Sequence, residues 1–247
     1  LAKKNLPTVD QEALLWKQGS AFVFGVDEAG RGCLAGPVCA GAACWAPFSA
    51  ALGLPAEVRD SKMMTELQRE AAFSPVQSHA LSHGVGFATA QEIDRWNILR
   101  ATHLAIARAI EAALSSLNER GLFQPQGFAF LVDGNQPMVT QSGFFVRQKE
   151  YADEFPLLAR VLKFKYPEIC VVKGDSKVFT IASASVLAKV SRDRLMTALD
   201  AAYPAYAFAQ HKGYSTPSHI EKLRANGPCS EHRQSFSPVA QAAQLFS

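Results

Sequence analysis

Apolar residues recur along this chain with two different periods, and the switches between them divide it into elements. Residues 21–26 form an unbroken apolar run of strand length. Residues 38–45 form a second, dominated by the small Ala40, Gly41, Ala42 and Ala43, a composition that predicts close packing against a helix. Residues 84–88 supply a third strand. Between 91 and 117, the apolar positions Leu99, Ile106, Ile110, Ala113 and Leu117 are spaced as one face of a helix. Residues 128–132 and 169–172 are further strand-length runs. Residues 180–200 read as a second long helix whose face is Ile181, Ala184, Ala188, Leu195 and Leu199, with the small Ser191 filling the gap.

Shorter signals fill in the rest. Thr8 and Gln11 stand in capping-box spacing ahead of Leu14, Leu15 and Trp16, and Gly19 closes the segment, so an amphipathic helix is expected to cover the core at the amino end. Residues 46–55 read as a Pro/Gly/Ala loop and 65–73 as a short helix. After Tyr203-Pro204 the chain becomes loop-rich with short helical pieces. Three strands, a helix, two strands and a helix, in that order, predict an α/β fold: a mixed sheet, antiparallel at its start and flanked by helices. The boundaries we draw are 1–200 for the main domain with its N-terminal helix, and 201–247 for a small C-terminal helical extension.

Composition narrows the function classes only modestly. With 247 residues, 48% of them hydrophobic, the chain can bury a full core. Its 25 Lys and Arg against 22 Asp and Glu give no strong overall field, so attraction to nucleic acid would need local clustering. Such a cluster exists between residues 160 and 192: Arg160, Lys163, Lys165, Lys173, Lys177, Lys189 and Arg192, against Glu168 and Asp175. A nucleic-acid backbone is the obvious complement, although a solvated helix face would show a similar count. Five cysteines without C-x-x-C spacing fit a reduced, cytoplasmic protein, and no apolar run is long enough for a membrane span. The first residue is Leu, which suggests that a few residues precede it.

The candidate chemistry lies where strands end in acids. Asp27 and Glu28 follow the first run, Asp133 follows the run at 128–132, and Asp175 follows the run at 169–172. Taken singly, each has a plain explanation: turn acids bonding to backbone amides, or a helix N-terminal acid neutralised by Lys173 and Lys177. Taken together, they suggest carboxylates projecting into one crevice around hard divalent cations, which take oxygen ligands and leave positions for water and phosphate. Two such ions about 3.5–4 Å apart stabilise both the attacking and the leaving oxygen in phosphodiester cleavage. His79 and His83 share i,i+4 spacing but lack the glutamate of H-E-x-x-H. Neither a G-x-S-x-G elbow nor a G-x-x-x-x-G-K-[ST] loop is present.

Here the residues resemble a known family. Residues 25–32 (GVDEAGRG) followed by 34–38 (LAGPV) are similar to the opening signature of bacterial type 2 ribonucleases H. Further similar motifs follow in family order: 60–62 (DSK), 92–99 (EIDRWNIL), 132–135 (VDGN), 173–177 (KGDSK), the run 181–193, 211–214 (HKGY) and 232–236 (HRQSF). The resemblance implies a ribonuclease H-like core and an endoribonuclease that cuts the RNA strand of RNA/DNA hybrids and ribonucleotides embedded in duplex DNA, working as a monomer. It implies that Asp27, Glu28, Asp133 and Asp175 hold Mg²⁺ or Mn²⁺ as a catalytic site using two ions. It further implies that Gly30, Arg31, Gly32 and Tyr214 meet the ribose at the RNA–DNA junction, and that Lys62 contacts phosphate. Cys33 in place of a usual proline and Met63-Met64 in place of Lys-Leu depart from the pattern.

The interval from Asp133 to Asp175 is longer than the resemblance leads one to expect. Residues 136–167, with Phe144, Phe145, Tyr151, Phe155, Phe164 and Tyr166, therefore read as an insertion whose removal should spare the chemistry. It would either stack on nucleic acid or pack on itself. Two rival functions stand beside the main one: a DNA-cutting metal nuclease on the same fold, and a hybrid-binding protein without catalysis. The intact set of acids opposes the second, and Gly30-Arg31-Gly32 with Tyr214 opposes the first.

Overall fold

The computed structural model describes residues 6–47, 58, 61–151 and 153–246. Its centre is a five-stranded sheet of β1 (Phe22–Ala29), β2 (Val38–Cys44), β3 (Ser82–Ala88), β4 (Phe128–Asp133) and β5 (Glu168–Val171), in the order β3-β2-β1-β4-β5. β1 pairs antiparallel with β2, and β2 with β3, while β1–β4 and β4–β5 are parallel. The expected mixed α/β sheet is therefore present. Most of the expected loop at 46–55 lies outside the described residues.

Nine helices among the described residues surround the sheet: α1 (Asp10–Lys17), α2 (Glu66–His79), α3 (Ala90–Glu119), α4 (Met138–Val146), α5 (Pro156–Val161), α6 (Phe179–Ala202), α7 (Phe208–His211), α8 (Pro217–Asn226) and α9 (Ser237–Ala243). Alternation along β1 assigns the two long ones to opposite faces. Phe22, Phe24 and Val26 join the apolar cluster built on α3, whereas Val23 joins Leu131 and Ile181 on the α6 side. Gly25 lets α6 lie directly on β1, since a Cβ there would fall 2.0 Å from the Thr180 carbonyl carbon. The start of α6 is thus fixed two residues from Asp27.

Several local expectations need correction. Thr8 does not cap α1 with Gln11: Val9 is the N-cap, without a side-chain bond, and Thr8 instead pairs its backbone with Val178. Leu14 is exposed, while Glu12 is buried and accepts the Thr180 amide at the start of α6. Helix α2 continues beyond residue 73 to His79, tolerating Pro75. On α3, Leu99 is 41% exposed, because Asn97 breaks the helix at φ 62°, ψ 165° and resets its phase. The Asn97 side chain then accepts the amides of Leu99 and Arg100, starting the second half as a cap would. On α6, Leu195 and Leu199 are half-buried and Met196 takes the fully buried place.

The largest correction concerns residues 136–167: Phe144, Phe145, Tyr151 and Phe155 do pack on one another, but the segment also joins the main core and presents no free aromatic face. Met138, Val139, Phe145, Tyr151, Phe155, Leu158 and Val161 are all buried in the cluster that contains α3, β1 and β4. Two carboxylates tie the segment down: buried Glu111 of α3 accepts the Leu157 and Leu158 amides at the start of α5, and half-buried Glu168 accepts those of Val139 and Thr140 at the start of α4. Only Phe164 of the six aromatics is exposed. The segment is part of the α3-side core.

Candidate active site

Parallel pairing sets the first two acids side by side. Val26 is in register with Val132, so Asp27 and Asp133 come next on adjacent strands, near the end of β1 and at the end of β4. β5 then turns through Lys173, held at φ 56°, into a 3₁₀ turn that carries Asp175. The Gly174 amide in that turn donates to Asp133 Oδ1 at 2.6 Å, which fixes the turn against the end of β4. All four predicted acids are thereby gathered at the C-terminal ends of β1, β4 and β5. Asp27 is 3% exposed and Asp175 2%, with Glu28 and Asp133 half-buried at the rim.

Amides satisfy part of this charge, as the plain reading of turn acids expects. Asp27 Oδ1 accepts the Glu28 amide at 2.7 Å, and the Ser185 hydroxyl of α6 also bonds to Asp27. Ser185 is in turn 2.7 Å from the Ser61 hydroxyl, beside Lys62. Burial, with Glu28 and Asp133 close by, pushes the Asp27 carboxyl well above the usual carboxylate range. Burial also raises Glu28, against the opposing pull of the Arg31 guanidinium, and raises Asp133, against the Gly174 amide. In all three the largest cause is burial, which disfavours the ionised carboxylate.

The nearest compensation is Lys62. Its ammonium sits 2.9 Å from Asp175 Oδ2. Burial opposes its charge, but Asp175, Asp27 and Asp133 together hold it above the ordinary lysine value. Lys177, expected to flank and neutralise Asp175, donates to the Val172 carbonyl instead. Among the described residues no three His, Cys, Asp or Glu side chains are closed into a ready metal cage. The acids share the Lys62 ammonium instead. An all-oxygen donor set, with Asp27, Glu28 and Asp133 raised by burial and a largely exposed lysine beside it, fits hard divalent cations, which take oxygen ligands.

Of the predicted nucleic-acid residues, Lys62 and Arg31 pair with acids of the crevice, and Gly30 and Tyr214 both lie against Arg192 of α6. Arg31 is exposed and pairs with Glu28 at 3.1 Å, Gly32 has open space around it, and Gly30 adopts φ 89° against the Arg192 side chain. Tyr214 is 40% exposed, with the Lys189 ammonium 5.6 Å and the Arg192 guanidinium 5.8 Å from its ring centre. The basic run from 160 to 192 does not form one patch. Arg192 is fully buried, Arg160 stacks over Phe123, and Lys189 pairs with Asp193.

Sequence reasoning missed the support for these residues. Arg192 and Arg233, both fully buried, bond to backbone carbonyls of the 30–37 loop. The signal for Arg192 was its place four residues after Ala188, in line with Ala184 on the buried face of α6. Behind Tyr214 lies a core of stacked imidazoles: His219 Nδ1 is 2.9 Å from the Tyr214 carbonyl, and its Nε2 is 3.1 Å from His232 Nε2. Burial holds His219 and His232 down to about 4, so both are neutral near pH 7.

Comparison with known proteins gives one consistent result. The sequence model of the family described as Ribonuclease HII matches residues 24–239. The chain is 41% identical to a Ribonuclease HII of Paracidovorax citrulli, over 98% of this chain and 85% of that one. It is also 41% identical to one of Pseudothermotoga lettingae, over 91% and 81% respectively. Among solved structures, the ribonuclease H2 of Pyrococcus horikoshii is similar with a TM-score of 0.65 at 25% identity, covering 91% of this chain and 98% of that one.

Proposed function

Because the chain belongs to the ribonuclease HII family, and so is an endoribonuclease acting on RNA/DNA hybrids, we propose that Asp27, Glu28, Asp133 and Asp175 form its hydrolytic site and hold Mg²⁺ or Mn²⁺. On this reading it cuts the RNA strand of hybrids and the strand containing a ribonucleotide embedded in duplex DNA, leaving 5′-phosphate and 3′-hydroxyl ends. One observation carries the reading: acids from β1, β4 and the turn after β5 meet around the Lys62 ammonium, with the Asp27 and Asp133 carboxyls raised.

Two divalent ions bound there would activate water and stabilise the charge that develops on the phosphate. The protein's own groups do the rest. Asp27 and Asp133, fixed on adjacent strands, supply the central carboxylates, and Glu28 and Asp175 complete the set. Ser185 and the Gly174 amide orient Asp27 and Asp133. Lys62 leaves Asp175 for a phosphate oxygen of the substrate. Gly30-Arg31-Gly32 approaches the ribose, and Tyr214 stacks on the sugar of the next, deoxy, nucleotide, where a 2′-hydroxyl would crowd it.

Three labelled duplexes test this reading when incubated with Mg²⁺ or Mn²⁺: RNA/DNA, DNA with one ribonucleotide, and DNA only. The first two should be cut and the third left intact. Cutting of the DNA-only duplex alone would remove the proposal. For Tyr214→Ala, the ratio of kcat/KM on the single-ribonucleotide duplex to that on the uniform hybrid should fall about tenfold or more, with Tm nearly unchanged because the ring is partly exposed. An unchanged ratio would end the junction-sensing role of Tyr214.

A further inference from the structure

Two buried guanidiniums converge on one loop. Arg233, from the C-terminal extension, donates Nη2 to the Gly30 carbonyl at 2.7 Å, Nη1 to Arg31 at 2.8 Å and Nε to Gly36 at 3.0 Å. Arg192, from α6, donates Nε to Pro37 at 2.9 Å, Nη2 to Ala35 at 3.1 Å and Nη1 to Lys212 at 2.8 Å. Both side chains are fully buried, and all six bonds go to backbone carbonyls. Neither arginine makes an ion pair with a carboxylate among the described residues. Burying two cations this way is costly, and a core that needed only packing would be served better by apolar side chains.

Peptide geometry shows what the arrangement does. In a trans peptide the carbonyl of one residue and the amide of the next point in opposite directions, and the described residues contain no cis bond. With the Gly30 and Arg31 carbonyls held inward on Arg233, the Arg31 and Gly32 amides must face the other way. That side is open: Arg31 and Gly32 are exposed, and no described group accepts either amide. Arg192 links the same loop, through Ala35 and Pro37, to the Lys212 carbonyl two residues before Tyr214, while the Leu34 amide donates to the Gly213 carbonyl at 2.8 Å. The amide pair and the Tyr214 ring are thereby held at a set separation.

We propose that Arg192 and Arg233 are positioning residues for sugar recognition: from the buried side they aim the Arg31 and Gly32 amides at the ribose 2′-hydroxyl and fix them relative to Tyr214. This deepens, and rests on, the reading that Gly30–Gly32 and Tyr214 meet the RNA–DNA junction. Arginine suits the task because its planar fork spans three carbonyls at fixed angles, whereas a lysine ammonium keeps the charge but cannot match that geometry.

The test is a binding preference, which a purely structural role would not alter. Asp133→Asn protein, expected to hold substrate without cutting it, is titrated with two duplexes that differ by one 2′-hydroxyl, and then carries Arg233→Lys or Arg192→Lys in addition. The host should favour the ribonucleotide duplex by about tenfold or more in Kd. Arg233→Lys should cut this preference to about twofold or less while affinity for the all-DNA duplex stays within about threefold, and Arg192→Lys should act in the same direction. Cooperative melting confirms that each variant is folded at the assay temperature. A preference kept in full by a folded Arg233→Lys protein would overturn the positioning role and leave the junction reading standing. No preference in the host would overturn the junction reading itself. Failure of both lysine variants to fold would make the arginines purely structural and end the proposal.

Discussion

Asp27→Asn leaves the protein folded and lowers its cleavage of RNA/DNA hybrids on the order of a thousandfold, because it removes the central carboxylate from the proposed metal site. The same change should not harm the fold. Burial raises the Asp27 carboxyl, with Glu28 and Asp133 adding to the effect, so the ionised group is a burden on the metal-free folded state. Its folded pKa lies above its unfolded one; the stability it contributes is therefore present below the ordinary carboxylate range and lost as pH rises through the raised value. Glu28 and Asp133 shift in the same direction. In chelator, wild-type protein should gain stability as pH falls from neutrality toward that range, and Asp27→Asn should flatten this gain. Mg²⁺ or Mn²⁺ should raise the wild-type Tm at neutral pH, since ions that bind only the folded state stabilise it. The rise should be much smaller in Asp27→Asn. Equal metal-induced shifts in the two proteins, or more than about a tenth of wild-type activity in the variant, would show that Asp27 is not a ligand.

How much of this was legible beforehand depended on whether the cause was local. The strands were readable because β1 and β4 begin as continuous apolar runs, and Asp27 and Asp133 were readable because each follows such a run directly. Their meeting followed from parallel pairing of β1 with β4, which a mixed sheet makes natural. What escaped was decided at a distance. Leu99 fits the period of its helix, but Asn97 bonds to the amides two and three residues ahead and shifts the phase. Arg192 counts as positive charge in any tally, yet it faces the loop and donates inward to Ala35 and Pro37, 157 and 155 residues away in sequence. Lys173 and Lys177 flank Asp175 in sequence, but the cation beside it is Lys62, 113 residues away. The spacing of Arg192 after Ala184 and Ala188 shows that it faces the core, but no spacing names the partners of such long-range bonds.

Replacing residues 136–167 with a short Gly/Ser linker abolishes cooperative folding, contrary to what a decorative insertion would allow. The segment's own burial does not decide this. Seven large side chains at about 1.5–3 kcal/mol each are offset by the entropy of ordering some thirty residues. The surface left behind decides it. Trp96 would lose its edge contacts with Phe144 and Phe145 and the 3.2 Å bond from its Nε1 to the Tyr151 hydroxyl. Phe130 at the centre of β4 would lose the Tyr166 ring. Glu111, already raised by burial, would lose both amides that stabilise its charge. Arg108 would lose Glu154 and keep Glu92 and the Phe87 carbonyl. Together these changes expose one face of α3 and strand a buried carboxylate, at a cost comparable to the whole stability of a domain, about 5–15 kcal/mol. The expected result is a protein without a sigmoidal melt and with exposed apolar surface, measured by circular dichroism on heating and by dye binding. A deletion variant that melts cooperatively and still cuts the hybrid would show that α3 keeps its place without this cover, and that the chemistry at the far ends of β1, β4 and β5 is insulated from it.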